Sequence, residues 1–274
     1  MRIRIAHETR YHYDAPQKSV AQLLRLTPRN HDGQHVMGWR IDVSADCRLS
    51  RQEDAFGNIT HAFTADGPFS ELAIAIEGEV ETRDTNGILR GTVEKFPPAL
   101  FLRESALTQA DAPIAEFAQA VRRQAGGNDL DVLHGLMAAL NREIAFDPDP
   151  THVMTTAPEA FALRRGVCQD LSHVFIAAAR SLGIPARYVS GYYRRSDVTA
   201  QEAGHAWVEA HVPDLGWIGF DPTHGVCPGE AHVRVAIGLD YLSASPVRGT
   251  RYGGGTEALT VAISVDQASR QTQS

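Results

Sequence analysis

The hydrophobic period of this chain changes twice, and that constrains its fold more than any other feature. Over roughly residues 1–95 the apolar residues recur every second position. Ile3, Ile5, His7, Thr9, Tyr11 and Tyr13 alternate with mostly polar neighbours, the spacing of a half-buried strand. Trp39–Val43 and Leu72–Val80 repeat the pattern. Gly57-Asn58, between Asp54-Ala55-Phe56 and Ile59–Phe63, predicts a hairpin turn. Short strands separated by turn residues predict a β-sandwich-like domain over residues 1–95. From Phe96-Pro97-Pro98 to residue 112 the prolines favour a linker.

The period then becomes helical. Asp111 is placed as an N-cap, Ile114, Phe117, Ala118 and Val121 form a stripe, and Gly126-Gly127 ends it. Val132, Leu133, Leu136, Met137, Leu140 and Ile144 repeat at spacings of three and four after Asn128 or Asp129. Thr156-Ala157-Pro158-Glu159 reads as a capping box for a short helix to about Leu163. Gly166 permits a break, and a further helix starts near Cys168. Its stripe runs through Leu171, Phe175, Ala178, Ala179 and Leu182 to Gly183 and Pro185. Strands return at 186–193, 205–211, 216–220 and 256–265. The expected organisation is a β domain over 1–95, a linker over 96–112, an α+β core over 113–266 and a polar, frayed tail over 267–274.

The chain has 274 residues, of which 43% are hydrophobic and 22% charged, with a formal net charge of −7. That is a globular composition with room for a substantial core. No Lys/Arg block marks a nucleic-acid partner, and no run of about 18 apolar residues marks a membrane span. The three cysteines, Cys47, Cys168 and Cys227, form no Cys-x-x-Cys pair, so neither a disulfide framework nor a zinc ribbon is expected. The N-terminal MRIRIAHETRYHY lacks the apolar stretch of a secretory signal. These readings together predict a cytoplasmic protein with no cofactor.

Cys168, His205 and Asp221 occur in chain order within GVCQD, HAWVE and FDPT. A thiol attacks a carbonyl as thiolate, and a free cysteine has a pKa near ~8.5. Helix N-termini and imidazolium partners both lower that value, and Cys168 stands at a predicted helix start. The connector Val212–Gly216 sets a hairpin in which His211 faces Trp217 and Glu209 faces Gly219. In that register His205 and Asp221 share a face as diagonal partners, roughly 7–8 Å apart, and a one-residue slip would separate them. The backbone N–H of Cys168 is a candidate oxyanion donor, with Gln169 a second candidate by adjacency. Asp170 is a candidate for supporting the helix N-terminus or the site. Trp207 shares His205's face and reads as a wall residue. His173, five positions after Cys168, reads as structural, and Cys47 and Cys227 as inert. A metal reading through His205, Glu209, His211 and His224 fails on reach, because His205 to His211 spans about 20 Å of extended chain. No metal site is expected.

The stretches ALRRGVCQDLSHVFIAAARSLGIPARYVSGYY, GHAWVEAHVPDLGWIGFDPTHG and VAIGLDYLSASPVRGTRYGGG resemble the transglutaminase-like superfamily, specifically its bacterial members with an added N-terminal β domain. The resemblance covers nearly the whole chain and is strongest from residue 155 to 255. It implies a papain-like α+β core, with a nucleophile helix packed on an antiparallel sheet that carries the histidine and aspartate. It also implies thiol acyl chemistry through a thioester, with Cys168, His205 and Asp221 at the family's catalytic positions. The calcium sites of the animal cross-linking enzymes are not recognisable in the sequence. The expected function is a Cys-His-Asp hydrolase of peptide, isopeptide or other amide bonds. An acyltransferase using an amine acceptor is the first alternative, and an inactive protein-binding module the second.

Overall fold

The computed structural model describes residues 1–268, so the expected tail over 267–274 lies, apart from its first two residues, outside the described residues. The chain opens with β1 (Arg2–Thr27), β2 (Gln34–Val43), β3 (Ser50–Glu53), β4 (Ile59–Thr82) and the short β5 (Ile88–Leu89). β1 and β4, 26 and 24 residues long, pair antiparallel along most of their length, with register shifts between His12 and Ser19 where Pro16 interrupts the ladder. Residues from both halves of the two strands enclose one apolar core, with Tyr11, Tyr13, Leu72 and Ile74 from one end and Leu24 and Phe63 from the other. β1 to β4 belong to one hydrogen-bonded sheet, the strand-rich region that the alternation predicts. The hairpin at Gly57-Asn58 joins β3 to β4, with Glu53 opposite Ile59.

The helical stretch forms α1 (Ala112–Gln124), α2 (Asp129–Glu143), α3 (Ala157–Leu163) and α4 (Cys168–Ser181), with a minor parallel pair of β6 (Ala145–Phe146) and β7 (Arg165–Gly166). Their starts are chemically fixed. Asp111 accepts the Ile114 amide, Asn128 accepts the Asp131 amide, and Thr156 and Glu159 cap each other. β8 (Ala186–Tyr193), β9 (Ala200–Gln201), β10 (His205–Val212), β11 (Gly216–Phe220), β12 (His232–Gly238), α5 (Tyr241–Ala244), β13 (Val247–Gly253) and β14 (Glu257–Gln267) complete the chain. An antiparallel sheet of order β12-β8-β10-β11-β5 carries α4 across its face. Every α4 residue from Asp170 to Arg180 is buried. Arg180 pins the end of this helix by donating to the carbonyls of Phe101, Ala186 and Leu239 and to the Thr108 hydroxyl.

Two expected boundaries differ. The strand expected at 256–265 lies within the expected core, but β14 pairs with the first half of β1, and β13 with its second half. The β domain over 1–95 is therefore completed by the chain's far end, and the core's own sheet stops at β12. Alternation identifies a strand but not the edge it joins, and β1 offered an open edge that had to be covered. β5, in turn, pairs with β11 of the core sheet. The expected linker is also packed: Pro98–Leu102 forms a 3-10 turn whose Phe101 is buried edge-on against Trp217, 5.2 Å between ring centroids.

The two units share a core, since Ile3, Ile5, Val80, Ile263 and Val265 join the apolar cluster of the helices. They are also stitched along β12, the edge of the core sheet. The Asn58 amide donates to the Ile237 carbonyl at 2.8 Å and accepts its N–H at 2.8 Å. Gln34 does the same at Arg234, at 2.9 and 2.8 Å. Two side-chain amides thus satisfy backbone groups that the edge would otherwise leave unpaired. No helix among the described residues is long and apolar enough to cross a membrane.

Candidate active site

Cys168 is the first residue of α4, where the leading amides of a helix have no intrahelical acceptor. The turn into the helix is built by Asp170. Its Oδ2 accepts the Val167 amide at 2.8 Å and the Thr151 hydroxyl at 2.8 Å. Gly166 leaves room for that carboxylate, because a Cβ there would stand 2.6 Å from the Asp170 oxygen. Sequence and geometry agree on the break: glycine admits the aspartate, and the aspartate fixes the helix start.

β10 and β11 pair in the register set by their connector, with His211 opposite Trp217 and Glu209 opposite Gly219. His205 opens β10, and Asp221 follows β11 on the same face. The His205 Nε2 donates to Asp221 Oδ2 at 2.7 Å. The ring's other nitrogen is not engaged by Asp221, and Cys168 stands near enough to the imidazole to raise its proton affinity. Of the three residues singled out in the sequence, His205 and Asp221 are joined directly, with His205 9% exposed and Asp221 fully buried, and Cys168 lies on the neighbouring helix start.

Two further histidines share Asp221. His224 Nδ1 donates to the same Oδ2 at 2.8 Å and His232 Nε2 at 3.1 Å, while Oδ1 accepts the amides of Thr223 and His224 at 3.0 and 3.2 Å. The Tyr193 ring packs on all three imidazoles, its centroid 5.3, 4.2 and 4.6 Å from those of His205, His224 and His232. Sequence reasoning missed this arrangement. His224 had a local signal, standing three residues after Asp221 in a tight turn. His232 had none, since it arrives through the pairing of β12 with β8, opposite Tyr193.

These contacts set the charges. Burial alone pushes the His205 imidazole down, but the hydrogen bond to Asp221 and the nearby Cys168 outweigh burial and raise it to about 10. Burial pushes Asp221 up, and the three imidazole hydrogen bonds outweigh it, holding the carboxyl well below its usual range. Burial lowers His232, so that ring stays neutral. A group raised in the folded state stabilises the fold fully below its unfolded value, 6.5 for histidine, and this contribution is lost as pH rises through about 10. The melting temperature of the protein should therefore fall between pH 6.5 and 10 more steeply than that of a His205→Gln variant. Parallel melting curves for the two proteins would show that His205 gains no proton affinity on folding.

His205, Asp221 and His232 each offer a ligand atom, all within 4.8 Å of one another, a donor set that suits zinc. The proton positions oppose that use. His232 Nδ1 accepts the Gly229 amide at 3.3 Å, which leaves the ring proton on Nε2, facing Asp221. A metal on Nε2 would require the proton on Nδ1, directly against the Gly229 N–H. The cluster is a hydrogen-bonded cage around a carboxylate oxygen. Glu209 and His211, weighed in the sequence as ligands, lie elsewhere: Glu209 pairs with Arg187 and Arg234, and His211 stacks edge-on to Trp217.

The remaining candidates sort by what they touch. Gln169 turns away from the thiol and donates to the Val153 carbonyl at 3.2 Å, so in this arrangement it offers no oxyanion contact. Trp207 is buried, edge-on to His232 at 5.3 Å, and forms a wall of the site. His173 Nε2 accepts the Tyr241 amide at 3.1 Å, which ties α4 to α5. Burial pushes the thiols of Cys47 and Cys227 up.

Residues 115–222 match the family described as the transglutaminase-like superfamily, and residues 3–81 match the bacterial transglutaminase-like N-terminal region. An uncharacterised protein of Mycobacterium leprae is 29% identical over 279 residues, covering 96% of this chain and 98% of the relative. A protein-glutamine gamma-glutamyltransferase of Pseudomonas aeruginosa is 31% identical over 146 residues, covering 48% of this chain and 22% of that protein. A crystal structure from Cytophaga hutchinsonii, described as a "Putative Cysteine Protease", superposes with a TM-score of 0.78 at 19% identity, covering 100% of this chain and 92% of that one. The last comparison establishes a shared fold.

Proposed function

Since the chain belongs to the transglutaminase-like superfamily, we propose that it is a thiol-dependent hydrolase of amide, peptide or isopeptide bonds. One observation carries the reading: His205 is clamped through Nε2 to a buried carboxylate, and a cysteine at a helix N-terminus stands close enough to raise the ring's proton affinity. Imidazolium neighbours and helix N-termini in general both favour a thiolate.

The Cys168 sulfur attacks the substrate carbonyl carbon, and the resulting oxyanion is met by the unpaired Cys168 N–H. As the tetrahedral species collapses, His205 gives its proton to the departing amine nitrogen, the C–N bond breaks and a thioester remains. Neutral His205 then takes a proton from water, the water oxygen attacks the thioester, and the C–S bond breaks to return the thiolate and the imidazolium. Asp221 holds His205 in the required tautomer throughout.

The likeness to the Pseudomonas glutamyltransferase over about half the chain supports a second reading, in which an amine replaces water. Adding a primary amine to the reaction separates the two, because a transferase forms the new amide in place of the free acid.

The first test is the alkylation rate of each cysteine by iodoacetamide from pH 5 to 9, read by peptide mass. Cys168 should label fast at pH 6, and slower in His205→Ala. Cys47 and Cys227, whose thiols burial pushes up, serve as internal controls and should label only at high pH. A Cys168 that labels no faster than an ordinary thiol, with a midpoint near ~8.5, removes the physical basis of the proposal.

A further inference from the structure

The cage around Asp221 contains more than a triad needs. A carboxylate that only orients a histidine requires one hydrogen bond to that ring. Here Oδ2 receives three ring N–H groups at 2.7, 2.8 and 3.1 Å, from residues on three different segments. Each of the two extra rings is itself constrained. His232 is held in the Nε2–H tautomer by the Gly229 amide at 3.3 Å and sits against Trp207. His224 is placed by the turn after β11 and by Tyr193, 4.2 Å away between centroids. It remains 31% exposed at the side chain, whereas His232 is 4% exposed.

We propose that His224 and His232 are positioning residues, whose ring N–H groups fix the Asp221 carboxylate so that it can orient His205 toward Cys168. The inference rests on the thiol-hydrolase reading only for its catalytic consequence, since the cage itself is independent of what Cys168 does.

The argument is one of satisfaction. An ionised carboxyl group at zero exposure must replace all of its hydration by protein donors. Asp221 has five, two from backbone and three from imidazoles. The groups facing it are His205 from β10, His224 from the turn after β11, His232 from β12 and Tyr193 from β8. No lysine or arginine pairs with it among the described residues, so imidazole and backbone N–H donors carry the load. Removing two of them leaves one lone-pair region of Oδ2 empty in a dry site. The carboxylate then has reason to rotate, and the His205 hydrogen bond moves with it.

The test uses substitutions that remove or restore one atom. His224→Ala and His232→Phe delete the N–H. His224→Asn restores a donor near the Nδ1 position, and His232→Gln one near Nε2. In the intact protein, Cys168 alkylation at pH 6 should slow roughly tenfold in each donor-less variant, by analogy with metal-ligating histidines, whose outer hydrogen-bond partners typically carry about 10–100-fold. The Asn and Gln variants should recover most of the rate. In a Cys168→Ala background, the downfield proton resonance of His205 Nε2–H should persist in the wild-type cage and in the Asn/Gln double variant. It should broaden or vanish in the Ala/Phe double variant. That resonance does not depend on the thiol. If it behaves as expected while wild-type Cys168 labels as an ordinary thiol, the hydrolase reading fails and the cage stands. An unchanged resonance in the Ala/Phe double variant overturns the proposal. So does failure of Asn and Gln to outperform Ala and Phe at equal melting temperature. Should His232→Phe not fold, the partly exposed His224 pair decides the question by the same comparison.

Discussion

Replacing Cys168 by serine should abolish acyl chemistry while leaving the melting temperature within a degree or two of wild type. The fold has no reason to notice, because serine is smaller than cysteine by little and Cys168 sits at the half-buried start of α4. The chemistry has every reason. In a serine triad the histidine must be neutral in the resting state so that it can take the hydroxyl proton. Here Asp221 and Cys168 raise His205 to about 10, against the pull of burial. In the serine variant Asp221 still favours the protonated ring, and a ring that holds its proton cannot act as base toward an alcohol. The charge state suited to a thiolate pair therefore disarms the oxygen variant. The expected loss is on the order of 10^6-fold, as when the nucleophile of a comparable triad is removed. Hydrolysis of an activated ester such as p-nitrophenyl acetate measures it. A serine variant retaining a tenth of wild-type turnover would mean that His205 rests neutral and that the thiolate–imidazolium account is wrong.

How much of this site the sequence disclosed follows from which forces are local. The helix starts at Asn128 and Thr156 are one-turn events, set by a side chain and the amides beside it, so they read directly from spacing. The meeting of His205 and Asp221 was legible for a similar reason: a five-residue connector fixes the hairpin register, and strand alternation does the rest. His232 was illegible because β12 reaches the site only by pairing with β8, across a long excursion that no local pattern encodes. The return of β13 and β14 to β1 is the same kind of event at domain scale. Alternation marks those residues as strands, and only the open edge of a distant strand decides where they go. Gln169 shows the converse: adjacency to the thiol suggested a role, but the rotamer is set by a carbonyl at Val153 that the sequence does not place there.

Glu209→Gln should be the most destabilising single change in the sheet that carries the site. Arg187 is wholly buried and Glu209 is 2% exposed, bonded at 2.7 Å. Glu209 also accepts from Arg234 at 2.6 and 3.1 Å, and Arg187 donates to Glu94 at 2.6 and 2.9 Å. The Arg187 guanidinium lies over the Trp217 ring, 3.9 Å from its centroid. Three adjacent strands, β8, β10 and β12, are tied at one point, and β10 carries His205 four residues before Glu209. Glutamine keeps the shape and removes the charge, so two guanidinium groups lose their shared anion, one of them with no access to water. Breaking such a pair from one side costs about 3–5 kcal/mol, which for a chain of this size means a drop of roughly 10 °C. The acid side offers an independent check. Burial pushes Glu209 up, but Arg234 and Arg187 outweigh it and hold the carboxyl at about 2, below its ordinary 4.5. A depressed carboxyl stabilises above its unfolded value and loses that contribution as pH falls through the folded one. Wild-type stability should therefore decline from about pH 4.5 toward pH 2, and the Glu209→Gln variant should show a shallower decline over the same range. If urea titrations give the two proteins equal stability at pH 7, the cluster is solvated in solution and does not hold β10 in place beneath the cage.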